Sequence, residues 1–319
     1  MAKNKRKPIR RGSRFEKLNG WVPPEARDYG VRKETERILQ DVPVFASAGM
    51  TIAGTGAGKI VRLDDLLFDF AGYWPLVRQL IGDCVSFGWS KAIMCTAAAD
   101  AMIRGETEIW CGELCTEYLY GCSRVVAGRS RLRNSDGSVG AWMAATVGPT
   151  GQGVIFRQVY ETTEGPLDLT KYSGQRAKSW GYRGLPLETL EPIGDEHPTL
   201  KPVLVTSYED VRDSIANGYG VAVCSNIGFR DTRDSEGYLR RGPTWNHCMA
   251  YVGVDDTRRP GCVLDNGSWL DCFKGPNPQN VRTGCGFVDA ADVDRMAQQG
   301  DTYAVPGFEG IQSRWRMWD

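Results

Sequence analysis

Histidine is the scarcest reactive residue here: 319 residues contain only two, His197 and His247. A structural zinc ion takes four ligands, so the nearest cysteine cluster, Cys111, Cys115 and Cys122, is poorly supplied with partners. No metal and no organic cofactor is expected. Net charge is also lacking, with 39 basic residues against 39 acidic ones, so no whole-molecule field draws the chain to nucleic acid or lipid. No run approaches the ~18 apolar residues of a membrane span. The basic start is followed by polar residues rather than an apolar stretch, which argues against a secretory signal. These absences point to a cytoplasmic protein with no membrane contact, and its ten cysteines are expected to be mostly free thiols, with disulfides left open for a chain that leaves the cell by another route. No internal repeat is visible.

What is present is unevenly spread. Eight of the 39 basic residues and one of the 39 acidic ones fall in residues 1–17, so this arm is +7 and the remainder −7. Such an arm is either a solvated extension or an anchor to nucleic acid or another acidic surface. Residues 1–30 read as the arm, 31–70 as an N-terminal extension, 71–305 as the main domain and 306–319 as a tail carrying Trp315 and Trp318. The stretch TIAGTGAGKI (51–60) lacks the first glycine and the hydroxyl residue of a phosphate loop, so it reads as a glycine-rich link.

Periodicity predicts short helices over 31–41 and 208–216, a long helix from Cys84 to Arg104 that Gly105 can end, and another over 113–126. Strands are expected at 220–225, 248–254 and 262–266, with turn chemistry in DDTRRPG between the last two. Helix dominates the first half and sheet the second, which is the pattern of an α+β fold.

Cys84 opens the long helix, where unpaired N–H groups and the helix dipole favour a thiolate, the nucleophilic form of cysteine. His247 opens a strand and is the candidate base; His197, in EPIGDEHPTL, reads as an exposed loop residue. If residues 255–260 turn the hairpin, facing residues sum to 515. Asn266 then lies diagonally across from His247, within reach to orient the imidazole. Gln79, five residues before Cys84, can join the Cys84 N–H as an oxyanion donor. Alternation turns Cys248 to the opposite strand face and into the core. Asp83 is expected to be exposed to solvent.

These pieces, in this order, resemble the papain family of cysteine peptidases. Gln79-Leu-Ile-Gly-Asp-Cys84-Val-Ser-Phe is similar to the family's nucleophile segment, and Gly82-Asp83-Cys84 also resembles that of calpains. Asn246-His247-Cys-Met-Ala-Tyr-Val-Gly resembles the histidine strand, and Leu264-Asp-Asn266-Gly-Ser-Trp269 the Asn-Ser-Trp segment. SYEDVRDSIANGYGVAVC (207–224) resembles the helix and strand just before the catalytic histidine, and ELCTEYLYGC (113–122) the segment carrying the second helix. The resemblance covers roughly 70–305. It implies a helical subdomain (about 71–200) and a β-rich one (about 201–305), with the site in the cleft between them. It further implies a Cys84–His247–Asn266 triad assisted by Gln79, shielded by Trp269 and acting on a polypeptide substrate. Three positions depart from the pattern: Gln79 is one residue nearer the cysteine, Val85 replaces a tryptophan, and Gly267 interrupts Asn-Ser-Trp. The first 70 residues do not resemble a family propeptide. Two other readings stay open. One is a catalytically silent papain-fold protein in a larger assembly such as a virus particle, with the arm on nucleic acid. The other is a transferase or deamidase using the same triad. Composition leaves the oligomeric state open.

Overall fold

The computed structural model describes residues 18–48, 51–104 and 112–307. Residues 1–17, Gly105, Cys111 and the tail with Trp315 and Trp318 lie outside these, so the expectations placed on them are left there.

The helical part contains α1 (Tyr29–Leu39), α2 (Phe45–Ala48), α3 (Leu63–Ala71), α4 (Cys84–Arg104), α5 (Thr116–Gly121) and α6 (Gly140–Val147). It continues through α7 (Gly174–Arg183) and α8 (Leu187–Gly194). The reason for α1 is local. Asp28 caps it by accepting from the Val31 N–H at 2.9 Å, and Val31, Thr35 and Ile38 bury one stripe. The helix expected over 113–126 is split: α5 gives way to a wider π-helical turn at Cys122–Ala127.

The sheet draws almost entirely on the second half. Its strands are β1 (Ile60–Arg62), β4 (Val203–Leu204), β5 (Val221–Ser225), β8 (His247–Asp255), β9 (Gly261–Asp265), β10 (Cys285–Asp289) and β11 (Thr302–Ala304). The spatial order is β10-β9-β8-β5-β11-β4, with β1 added on β8, and every pairing is antiparallel. Two small hairpins, β2 (Val159–Thr162) with β3 (Gly165–Asp168) and β6 (Phe229–Arg233) with β7 (Leu239–Arg241), stand apart. Helices α9 (Tyr208–Ala216) and α10 (Ala290–Ala297) pack on the sheet. Ser207 caps α9 by accepting from the Asp210 N–H, and Gly218, at φ 83°, turns the chain after it.

This is the α+β arrangement expected. Helix α4 is the seam between the parts: it packs against α5 and α6 and against β5 and β8. Two glycines let it lie close. A Cβ on Gly88 would stand 2.7 Å from the Met249 carbonyl oxygen of β8, and one on Gly220 would stand 2.2 Å from the Ala92 oxygen of α4. The glycine-rich link is anchored: the Gly54 and Gly56 N–H groups both donate to the Asp213 carboxylate. The end of the basic arm differs from expectation. From Leu18 onward it does not extend away; Trp21 is 3% exposed and its backbone joins Ser138. The driving force is burial of a large aromatic surface.

Candidate functional site

Cys84 is the first residue of α4, His247 the first of β8, and Asn266 follows the last residue of β9. The hairpin register decides whether the last two meet. Partners sum to 515 at Ala250–Asp265 and Tyr251–Leu264, but to 516 from Gly253–Val263 to the turn. An irregularity between Tyr251 and Gly253 absorbs the extra residue. The expected register therefore holds at the end where the site lies. His247 Nε2 is 2.8 Å from Asn266 Oδ1. An amide oxygen accepts, so Nε2 carries the proton and Nδ1 is the basic nitrogen. Nδ1 has no hydrogen-bond partner among the described residues. The His247 ring stacks on Trp269, with centroids 4.2 Å apart. Trp269 sits in a short 3₁₀ turn, Gly267–Trp269, so the extra Gly267 is accommodated without removing the tryptophan from the histidine.

The sulfur of Cys84 accepts from the Cys248 N–H at 3.4 Å, which joins the helix start to the histidine strand. Gln79 is held by its neighbours. Trp269 Nε1 donates to its Oε1 at 3.2 Å, which turns Nε2 toward the carbonyls of Ile81 at 2.6 Å and Leu18 at 2.8 Å. Thus Cys84, His247, Asn266, Gln79 and Trp269 form one connected group. Cys248 is buried, as alternation requires, and faces Cys224 across β5. His197 is exposed and meets Phe156 edge to face, far from this group in the chain's connectivity.

Asp83 departs from expectation. It is 1% exposed and accepts from the Tyr172 hydroxyl at 2.8 Å. Burial pushes its carboxyl well above the ordinary range.

The segment Leu18–Val22 crosses this group. A Cβ on Gly20 would stand 2.0 Å from the Gly82 carbonyl oxygen, so the segment lies tight against the loop before Cys84. The Trp21 N–H donates to the carbonyl of Asn246, one residue before the histidine, at 3.1 Å. Ser138 donates its N–H to the Gly20 oxygen at 2.7 Å and accepts from the Val22 N–H at 3.0 Å. No sequence motif marked this segment; VPP after Trp21 read as part of an arm, and only the fold brings residues 20, 84, 138 and 246 together. In consequence Cys84 and His247 are both 0% exposed. Burial pushes the thiol well up, against the pull of the Cys248 and Gly20 N–H groups. Burial likewise lowers His247 to about 4, against the Asn266 hydrogen bond. Both shifts favour the neutral pair under this segment.

Among solved structures, xylellain, a cysteine protease from Xylella fastidiosa, matches with a TM-score of 0.56 at 12% identity, over 92% of this chain and 97% of that one. The chain has the papain-like fold. The Amb a 11 cysteine protease of ragweed pollen, in its proform, matches with a TM-score of 0.50 at 13% identity, over 92% of this chain and 77% of that one. No protein-family model and no curated protein matches the sequence. Helix α4, which begins with Cys84, packs against β8, which begins with His247. Nine cysteines among the described residues are free thiols. No group of three His, Cys, Asp or Glu side chains among those residues can hold a metal ion. No described helix is long and apolar enough to cross a membrane.

Proposed function

We propose that this chain is a cysteine peptidase that cleaves polypeptides by acyl transfer through Cys84, His247 and Asn266. Once Leu18–Val22 lifts away, water reaches the pair and the desolvation that keeps it neutral is relieved. The Cys84 proton passes to His247 Nδ1, and the thiolate attacks the substrate carbonyl carbon. Asn266 holds the Nε2–H and keeps the ring aimed, with Trp269 behind it. The developing oxyanion takes hydrogen bonds from Gln79 Nε2 and the Cys84 N–H. The imidazolium gives its proton to the leaving amine, a thioester remains on Cys84, and water, deprotonated by His247, hydrolyses it. Every step uses groups of this chain.

One observation carries this reading: a peptide already lies across the group. The Leu18 carbonyl accepts from the Gln79 amide, as a substrate carbonyl would, while the Trp21 N–H donates to the carbonyl of Asn246. The same burial favours the second reading, a silent papain-fold protein whose cleft stays closed. One experiment separates them: the pH dependence of Cys84 alkylation by iodoacetamide, read by peptide mass spectrometry, in the wild type and in His247→Ala. Labelling that persists near pH 5–6 and is lost in the variant supports an ion pair. Labelling that rises only near the free-thiol value of ~8.5, and is unchanged in the variant, sinks the peptidase reading. Cys84→Ala is expected to abolish turnover while the protein stays folded.

A further inference from the structure

Positive charge collects around one loop. Residues 1–17 carry +7, residues 124–137 carry +3 and residues 171–183 carry +4, so the rest of the chain carries −14. The fold brings these stretches to one place. The loop after the π-helical turn, residues 128–137, is held by Arg124, which is 1% exposed. Its guanidinium donates to the carbonyls of Gly181 at 2.8 Å, of Arg133 at 2.8 Å and of Gly137. No carboxylate pairs with it among the described residues; the Tyr120 and Tyr182 rings lie 5.0 and 5.1 Å away. Gly181 belongs to α7, and Tyr182 beside it donates its hydroxyl to Asp136. The chain emerges from residues 1–17 at the same place. A Cβ on Gly137 would stand 2.9 Å from the Gly20 oxygen, and one on Gly82 would stand 3.1 Å from the Asn19 oxygen and 2.8 Å from the Asp136 Cβ.

We propose that this loop, the end of α7 and the basic arm form one binding surface for a nucleic-acid strand, gripped by its phosphates. The surface stands apart from the peptidase reading. Arg129, Ser130 and Arg133 hold φ of 48°, 55° and 48°. Such strain in non-glycine residues persists only where surrounding contacts fix it, and it gathers at ligand sites. The loop so fixed leaves Arg131 and Arg133 exposed, and Lys178 and Arg183 of α7 are exposed beside it. Lys178 Nζ lies 5.6 Å from the Tyr182 ring centre. None of these four cations has an ion pair among the described residues. The nearby acids are committed: Asp136 to Tyr182 and the Gly82 N–H, Asp28 to the Val31 N–H, and Glu34 to Arg37 and Arg129. Guanidinium groups match phosphate with two parallel hydrogen bonds, and the exposed Ser130 and Asn134 add neutral donors. Seventeen arm residues span at most about 60 Å, so an extended polyanion can meet arm and loop together. A bilayer would need an apolar face, and Leu132, the one large apolar residue of the loop, is half-buried.

The test uses the full chain and a fluorescein-labelled oligothymidylate of about 30 nucleotides, followed by anisotropy between about 50 and 200 mM NaCl. Affinity is expected to fall steeply with salt, with a log–log slope of about −0.7 for each phosphate neutralised on a single strand. Arg131→Ala/Arg133→Ala is expected to make that slope shallower by about 1.4 and to weaken binding about 10-fold or more at about 100 mM NaCl. Lys178→Ala/Arg183→Ala, on a separate element, is expected to act in the same way, and removal of residues 1–17 to act more strongly. Urea midpoints report that each variant is folded. A folded double variant of either pair that binds like the wild type overturns the proposal, because the affinity then belongs to the arm alone. A wild type that does not bind at about 50 mM NaCl also overturns it. Polyglutamate of the same total charge is the competitor. Displacement equal to that by unlabelled oligonucleotide would show a surface for acidic polypeptides and overturn the choice of nucleic acid. Displacement by the oligonucleotide at about 10-fold lower charge concentration supports it.

Discussion

At the scale of single residues, Asp83 shows how burial reverses an expectation. A carboxylate before the nucleophile reads as a solvent-exposed charge, yet among the described residues its side chain accepts from Tyr172 on one oxygen and has no partner on the other. The sign of its pH dependence follows. Its folded pKa is raised, so the folded state holds a proton that the unfolded state has released above ~3.9. Stability is then lost as pH rises from that value toward the raised one. Asp83→Asn keeps an acceptor for Tyr172 and removes the charge. The variant is expected to be more stable than wild type at pH 7 and indistinguishable from it near pH 3, as read by urea midpoints. A wild type more stable at pH 7 would mean that the carboxylate is charged and satisfied. Glu117 is the opposite case. It is fully buried, but Arg157 and Arg176 each reach it at 2.9 Å, so its charge is compensated.

At the scale of elements, the site depends on how closely α4 lies on β8. The Cys248 N–H reaches the Cys84 sulfur only because Gly88, one helical turn along, lets the strand backbone approach. Gly88→Ala forces a Cβ to within 2.7 Å of the Met249 oxygen and 2.9 Å of the Cys248 sulfur, so the helix must shift. Its expected cost is about 1–3 kcal/mol, visible as a lower urea midpoint. Labelling of Cys84 at pH 6 should fall as well, because the displaced helix carries the nucleophile. Unchanged labelling would show that the helix start does not need this contact. The hairpin of β8 and β9 makes a related point. Its one-residue irregularity lies beyond Tyr251, so the turn end is reregistered while His247 and Asn266 keep their diagonal.

At the scale of the whole molecule, the N-terminal segment and the site are one thermodynamic system. Closure buries His247 and lowers it to about 4 from an ordinary value near 6.5. A base with a depressed pKa binds fewer protons closed than open, so acid favours opening. The closed state loses stability as pH falls from ~6.5 to ~4 and gains none above that window. Backbone amides of Gly20–Val22 are therefore expected to lose hydrogen-exchange protection, after correction for intrinsic rates, between pH 7 and pH 4.5. The pH dependence should disappear in His247→Ala. Protection that does not vary with pH in the wild type would dissociate closure from the histidine. Trp21→Ala tests the segment by another route: the indole donates to Asp301, and removing it is expected to raise the iodoacetamide labelling rate of Cys84 about 10-fold or more, and an unchanged rate would mean that Leu18–Val22 does not limit access.

The residues that bring their own local signals were legible along the chain. Cys84 stands at the start of an Ala- and Met-rich helical run, and His247 and Asn266 sit on two alternating apolar segments joined by turn residues. Such patterns report periodicity and capping, which depend on near neighbours, and they suffice to place α4, α9, β5, β8 and β9 within a residue or two. The pairing of His247 with Asn266 followed from counting across one turn. What depended on distant partners was not legible. Asp83 is buried because Tyr172 comes over it, 89 positions away. Leu18–Val22 closes the cleft because Ser138 and Asn246 offer it backbone partners, and Asp301 meets Trp21 from 280 positions away. Sequence by itself determined the elements and the order of the reactive residues, since these rest on local hydrogen bonding and hydrophobic period. Tertiary structure alone decided which of those residues are dry, charged or covered, because desolvation depends on every surface packed against a group.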